Sequence, residues 1–207
     1  MGLFRGGMTF SRFHVRGDLP AKFHDRYLEA IRLRAFRPLD PTEEVDERGG
    51  WCAPGDGFDL DPAYEAIFVG GYLNLGMRVD TWRIPRSLFK AAMRDAERSA
   101  LSRSGEEKLS RTKKKELETF LKARLRKKVI PAMRVFDLTW NLDTGIVRFF
   151  SHAPKMQDHM VELFLKTFDL DLALDGMFLA ASFDEALADE VAEALPLLEP
   201  LSLAVAG

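Results

Sequence analysis

Positively charged side chains are concentrated in one part of the chain, from residue 108 to residue 128. This stretch holds ten lysines and arginines but only two acids, Glu116 and Glu118. It therefore carries a charge of +8, which leaves −10 for the rest of a chain whose formal net charge is −2. A local excess of cations of this size attracts polyanions, and nucleic acid is the polyanion that such a surface most often binds.

The spacing of apolar residues predicts that this stretch belongs to a helix from Glu106 to Ile130, ended by Pro131. The predicted apolar face, which would dock on the protein, contains Leu117, Phe120, Leu121, Leu125 and Val129. The lysines and arginines occupy the other faces of the helix. We therefore expect one side of this helix to be anchored and the other side to present cations to solvent.

A second basic helix is predicted just before it, from Pro85 to about Arg103. Its predicted apolar face contains Leu88, Ala92, Ala96 and Ala100, and its cations recur at four-residue steps. We call the predicted DNA-contacting cations of the two helices the basic band. They are Arg86, Lys90, Arg94, Arg98, Lys108, Arg111, Lys113, Lys114, Lys115, Lys122, Arg126, Lys127 and Lys128.

A charged helix face is often only a solvated surface. In the stretch from 108 to 128, however, two acids are too few to neutralise ten cations through pairs four residues apart. Like charges at that spacing destabilise an isolated helix by roughly 0.2–0.5 kcal/mol per pair, so a binding role explains the pattern better. The sequence contains no zinc-finger or recognition-helix signature that would read bases. It therefore favours binding to duplex DNA without sequence preference.

Two other functions remain open from the residues alone. Asp56, Asp59 and Asp61 lie in a glycine-containing loop and would be the ligands of a metal-dependent nuclease. Their spacing matches no EF-hand, and Asp with Gly is also common in turns. The basic band would alternatively bind an acidic partner, which would make the chain a protein-interaction module.

Composition favours a globular protein of the cytoplasm. The chain has 207 residues, 46% of them hydrophobic, which is enough for a sizeable core. Its single cysteine, Cys52, excludes an internal disulfide and is expected to be a buried thiol. The early apolar positions are interrupted by arginines, so no signal peptide is predicted, and no apolar run is long enough to span a membrane.

The remaining pattern predicts strands and helices in alternation. Strands are expected at Leu3–Val15, Ala63–Val69, Tyr72–Ile84, Ala132–Trp140, Gly145–Ser151 and Leu170–Ala181, the last at an edge. Helices are expected at Leu19–Phe36, Lys155–Phe168 and Ser182 to about Leu195, the last one acidic, while 37–61 should be a long surface connection anchored by Trp51. Gly70-Gly71 and the turn from Asn141 to Gly145 indicate hairpins.

This order predicts an α+β fold in which helices pack on antiparallel hairpins. We expect an N-terminal α+β part over residues 1–84, the long basic helical segment over 85–131 and a second α+β part over 132–207. The three parts are expected to form one continuous domain.

The sequence also resembles the RdgC family of bacterial recombination-associated proteins over about residues 1 to 181. The residues that carry the resemblance are Phe4-Arg5 with Met8, Gly50-Trp51 with Pro54, Ile84-Pro85, Lys90-Ala91, Lys108 to Lys113, Leu117, Ile130-Pro131 and the turn from Leu142 to Gly145. The resemblance implies a dimeric, ring-like protein that encloses duplex DNA without sequence preference. It also implies association with the nucleoid, restraint of strand-exchange recombination, and neither cofactor nor catalysis.

The family's DNA contacts carry over only to the matching cations Lys90, Lys108, Arg111 and Lys113. Members of the family continue further than this chain, and its acidic C-terminal segment matches nothing in them. The resemblance therefore leaves open whether a ring closes.

Overall fold

The computed structural model describes residue 3 and residues 9–105 and 107–176. Within these residues the strands are β1 (Ser11–Arg16), β2 (Glu47–Cys52), β3 (Phe68–Val69), β4 (Tyr72–Thr81), β5 (Ala132–Asn141), β6 (Ile146–Phe149) and β7 (Asp171–Leu174). The helices are α1 (Phe23–Leu33), α2 (Tyr64–Ile67), α3 (Arg86–Ser104), α4 (Arg111–Arg126) and α5 (Pro154–Phe168). The fold is α+β, as predicted, and its antiparallel sheet curls into a half-barrel.

The strands follow the order β2-β4-β5-β6-β1-β7, and β3 pairs with part of β4. The central pair is β4 with β5, in register from Tyr72 opposite Asn141 to Thr81 opposite Ala132. Because β4 precedes the basic helices and β5 follows them, this pairing joins the two predicted α+β parts in one sheet. The chain leaves β4 for the basic helices and returns into β5 at the same end of this pair.

The hydrophobic core lies between one face of the sheet and the helices α1 and α5. Alternate residues of β4, such as Leu73 and Met77, point to this face and are fully buried. Tyr27 and Ile31 of α1 and Phe164 of α5 are buried in the same cluster. The core is therefore built by the sheet and these two helices, without α3.

Several predicted elements are confirmed. Gly70 and Gly71 have φ values of 56° and 78°, the left-handed conformation that a tight hairpin turn requires, and β3 pairs with β4 across them. The second hairpin, β5 with β6, is also present, and α5 begins at Pro154 as a helix opened by proline. β7 lies at the sheet edge next to β1.

Two local predictions are wrong. The segment 37–61 is not only a surface connection, because it contains the edge strand β2. The charged residues and glycines of β2 are unusual in a strand, so the sequence pattern does not indicate one. Gly50 is needed there since a Cβ atom at that position would lie 2.5 Å from the Phe36 Cα atom. The segment 63–69 forms the single turn α2 before the two-residue strand β3, rather than one strand.

The predicted anchoring role of Trp51 is confirmed. Its side chain is fully buried, and the indole Nε1–H donates a hydrogen bond to Thr167 Oγ1 at 2.8 Å. Trp51 thus connects β2 to α5. At the chain ends, β1 occupies the end of the strand predicted over Leu3–Val15, while residues 177–181 of the predicted edge strand and the whole predicted acidic helix lie outside the described residues.

Candidate nucleic-acid interface

Helices α3 and α4 form a helical hairpin at one end of the β4–β5 pair, and their main packing partner is each other. α3 contains no buried residue among its nineteen, and only Leu121, Leu125 and Arg126 are buried in α4. The hairpin therefore stands out from the sheet. Among the described residues no helix has the length and apolar character needed to cross a membrane.

The bounds of α4 correct the predicted helix over Glu106–Ile130. Ser110 is the N-cap, and its Oγ accepts the backbone N–H of Lys113 at 3.3 Å, so the helix begins at Arg111. Lys108 consequently lies in the connection between the helices. At the other end, Lys127 and Lys128 lie beyond the last helical residue, Arg126.

Arg126 does not belong to the exposed band, which corrects the sequence prediction. It is only 5% exposed, because its guanidinium donates hydrogen bonds to the Glu43 backbone carbonyl and to the Asp46 carboxylate. These two partners precede β2 by a few residues and lie about eighty positions from Arg126 in the sequence. Arg126 therefore attaches the end of α4 to the sheet domain, the name that we give to the sheet together with α1, α5 and the segment that precedes β2.

The other cations of the basic band remain at the surface. Lys122 is half-buried, and the exposed members are Arg86, Lys90, Arg94, Arg98, Lys108, Arg111, Lys113, Lys114, Lys115, Lys127 and Lys128. Lys114 forms an ion pair with Glu97 at 3.2 Å, and Lys122 forms one with Glu118 at 2.8 Å. Arg94, Arg98 and Lys115 have no ion-pair partner among the described residues. Much of the positive charge is therefore available to an anion from solution.

The cations of α3 do not form a single straight row. An α-helix has 3.6 residues per turn, so each four-residue step turns by about 40°. Arg86 and Lys90 consequently face the side where Lys122 of α4 lies, and these three side chains line one cavity. Arg94 and Arg98 lie further around the helix and do not line it. The predicted basic surface is wrapped around the hairpin rather than laid along one face.

The cavity shared by these three cations has a volume of about 360 Å³. Trp82, Ile84, Phe89 and Asp46 complete its lining. The Lys122 Nζ atom lies 6.0 Å from the centre of the Phe89 ring. Sequence reasoning missed Trp82 and Phe89, although Trp82 stands two residues before the Ile84-Pro85 motif. We call this the aromatic-cationic cavity.

The hairpin also carries an exposed apolar groove, which corrects part of the predicted docking of α4. Phe120 is 62% exposed, although it was assigned to the face that docks on the protein, and Leu88 of the predicted apolar face of α3 is 44% exposed. They line a groove of about 480 Å³ between α3 and α4, with Arg103, Arg124 and Lys128 also in its lining. Arg103 and Arg124 are cations that the predicted band did not include.

The three aspartates of the alternative nuclease hypothesis form other interactions. Asp56 Oδ1 accepts the Phe58 backbone N–H at 2.9 Å, and Asp59 Oδ1 accepts the Asp61 N–H at 3.2 Å, both typical of Asp in turns. Asp61 pairs with Arg32 at 2.6 Å. In the described part of the chain, no three His, Cys, Asp or Glu side chains are grouped so that they would hold a metal ion.

Cys52 is the buried thiol that the sequence predicts. It is fully buried in β2, and burial, together with the nearby negative charge of Asp137, raises the pKa of the thiol to about 12. Cys52 is therefore protonated at neutral pH, whereas a nucleophilic cysteine requires the thiolate. The Asp137 carboxylate accepts backbone N–H groups of Leu3 at 2.6 Å and Gly55 at 3.0 Å, which is a structural role.

Comparisons with protein families and with curated proteins identify no relative of this chain, since no model of a protein family matches it and no curated protein matches it. The charge and shape of the hairpin surface are therefore the features that bear on the function.

Proposed function

We propose that this chain is a non-catalytic protein that binds duplex DNA without sequence preference through the α3–α4 hairpin. One observation supports the proposal above the others. The hairpin holds a dense set of cations away from the sheet, and several of them, including Arg94, Arg98 and Lys115, lack an acidic partner among the described residues. A duplex presents one phosphate charge per about 1.7 Å of its axis, which is the complementary surface.

The same surface explains the expected lack of sequence preference. Long flexible lysine and arginine side chains on a hairpin contact phosphates, which position a protein on DNA but carry no sequence information. The resemblance to the RdgC family supports a role in nucleoid structure or in restraining strand-exchange recombination. On this proposal the protein associates with the nucleoid in the cytoplasm and antagonises strand exchange by occupying the duplex.

A mobility-shift experiment with the full chain and two unrelated linear duplexes tests DNA binding. The triple variant R94Q/R98Q/K115Q should weaken binding to both duplexes alike, by about tenfold or more, because each lost phosphate contact removes the same electrostatic contribution. The matched control is R16Q/R26Q/R37Q, which removes three exposed arginines outside the hairpin. Equal loss in both triple variants, or loss on one duplex alone, would contradict the proposal.

The apolar groove favours a homodimer, which is the second part of the proposal. Exposed Phe120 and Leu88 form an apolar surface of the kind that marks protein interfaces. Two copies meeting by these grooves would remove Phe120 and Leu88 from water. The full chain should therefore have twice the mass of one copy in solution, and F120E should have the mass of one.

The control for the dimer is L33E, because Leu33 is 65% exposed and lies on α1, outside the hairpin. L33E should remain dimeric. A monomeric wild-type chain, or a dimer that survives F120E, would remove the groove from the proposal without affecting the role of the cations in DNA binding.

A further inference from the structure

The aromatic-cationic cavity is lined by both aromatic rings and positive charges. The phosphates of a duplex would contact only the positive charges. Trp82 and Phe89 supply aromatic rings, while Arg86, Lys90 and Lys122 supply positive charge. The one acid in the lining, Asp46, is already paired with Arg126. Lys122 is paired with Glu118, so Arg86 and Lys90 give the cavity its net positive character beside an apolar aromatic wall.

A ligand that satisfies both linings is an anion that carries a flat aromatic ring. Nucleobases stack on aromatic side chains irrespective of sequence, and the phosphate attached to the same nucleotide is attracted by lysine and arginine. The volume of about 360 Å³ falls in the range of small-ligand sites and suits one nucleotide rather than a double helix. In an intact duplex, neighbouring bases already cover each base face.

We propose that the aromatic-cationic cavity binds a single unpaired nucleotide of DNA, with its base against Trp82 and Phe89 and its phosphate against Arg86, Lys90 and Lys122. The inference rests on the proposed DNA binding and goes beyond it, because it makes the protein responsive to single-stranded segments and frayed ends. The hairpin cations hold the strand, and the cavity distinguishes an unpaired base from a paired one.

The three tryptophans make the inference directly measurable. Trp51 and Trp140 are fully buried in the core, whereas Trp82 is only half-buried and lines the cavity. A base that stacks in the cavity should therefore quench the fluorescence of Trp82 while leaving the other two tryptophans unaffected. The probes are a short oligothymidylate and a blunt duplex whose ends are closed by hairpin loops.

The experiment titrates each probe into the full chain and records tryptophan emission, and anisotropy of a dye-labelled probe measures binding separately. We expect the oligothymidylate to quench the emission and the closed duplex to bind with little quenching. W82L should weaken oligothymidylate binding by about tenfold, the usual effect of losing one stacking ring, and should leave closed-duplex binding almost unchanged.

A second variant tests the cavity independently, in case W82L does not fold. R86Q/K90Q changes two exposed side chains of the cavity, and R98Q/K115Q is its matched control outside the cavity. The first should reduce quenching by oligothymidylate more than the control does. If oligothymidylate binds without quenching, or if both pairs reduce quenching equally, the cavity proposal is overturned while DNA binding stands. If neither probe binds, both proposals are overturned.

Discussion

The sheet domain and the α3–α4 hairpin are held together in opposite ways. In the sheet domain, alternate residues of β4 and the facing residues of α1 and α5 are almost completely removed from water. In the hairpin, α3 buries no residue, and an exposed phenylalanine lies on α4. Burial of apolar area is the main source of stability, so the sheet domain stabilises the chain and the hairpin is left to contact other molecules.

The largest effect on stability that this comparison predicts is that of truncating a core side chain. W51A should lower the free energy of unfolding by about 3–5 kcal/mol, because it removes a fully buried indole and the hydrogen bond that the indole donates to Thr167. The matched change in the hairpin, F120A, should cost the monomeric chain less than about 0.5 kcal/mol, measured at a concentration where copies do not associate. Urea denaturation measures both, and similar losses in the two variants would show that the hairpin is part of the core.

An intermediate effect is expected at an acidic side chain that links the sheet to α5. Glu47 accepts hydrogen bonds from Lys155 Nζ and Thr81 Oγ1, each at 2.9 Å, and lies 3.4 Å from His159 Nε2. Burial raises the pKa of Glu47, but these hydrogen bonds and the charges of Lys155 and His159 outweigh it and hold the pKa below its ordinary value.

A lowered pKa in the folded state means that the stabilisation by Glu47 is present above the pKa of the unfolded chain and is lost as the pH falls through the folded value. E47Q should therefore cost about 1 kcal/mol at pH 7, and the difference from wild type should shrink in acid. E118Q, which breaks the partly exposed Lys122 pair in the hairpin, should cost less than about 0.5 kcal/mol at either pH. Denaturation at pH 7 and pH 3 gives the comparison, and a constant E47Q effect would contradict it.

The smallest effect on stability is expected from the hairpin cations. R94Q/R98Q/K115Q should change the free energy of unfolding by less than about 0.5 kcal/mol, since exposed charges contribute little to folding. Thermal and urea unfolding of this variant would check it. A large destabilisation would mean that these arginines hold the hairpin together, and loss of DNA binding would then say nothing about a DNA contact.

The elements that the sequence predicts well are those specified by local chemistry. Gly70-Gly71 marks a hairpin because glycine adopts positive φ, and Pro154 marks the start of α5 for an equally local reason. The strand β2 is not predicted because Gly50 is an unusual residue in a strand. Glycine is required at that position since the backbone of Phe36 packs against it, and this contact exists only in the folded chain.

The candidate site is predicted in its charge but not in its shape. The concentration of lysines and arginines is visible in the sequence, and so is the placement of most of them on two helices. The burial of Arg126 depends on Asp46, and the meeting of Trp82 with Lys122 depends on how α3 packs on α4. Such long-range arrangements leave no periodic signal in the sequence.

The central claim is that the hairpin cations contact DNA phosphates, and the salt dependence of binding measures this most directly. The logarithm of the affinity for a linear duplex should fall linearly with the logarithm of salt concentration, with a slope of about −0.9 for each phosphate contact. We predict that R94Q/R98Q/K115Q makes the slope less steep by about 2 to 3, while R16Q/R26Q/R37Q leaves it unchanged. An identical slope in wild type and in both triple variants would show that the hairpin cations do not contact the phosphate backbone.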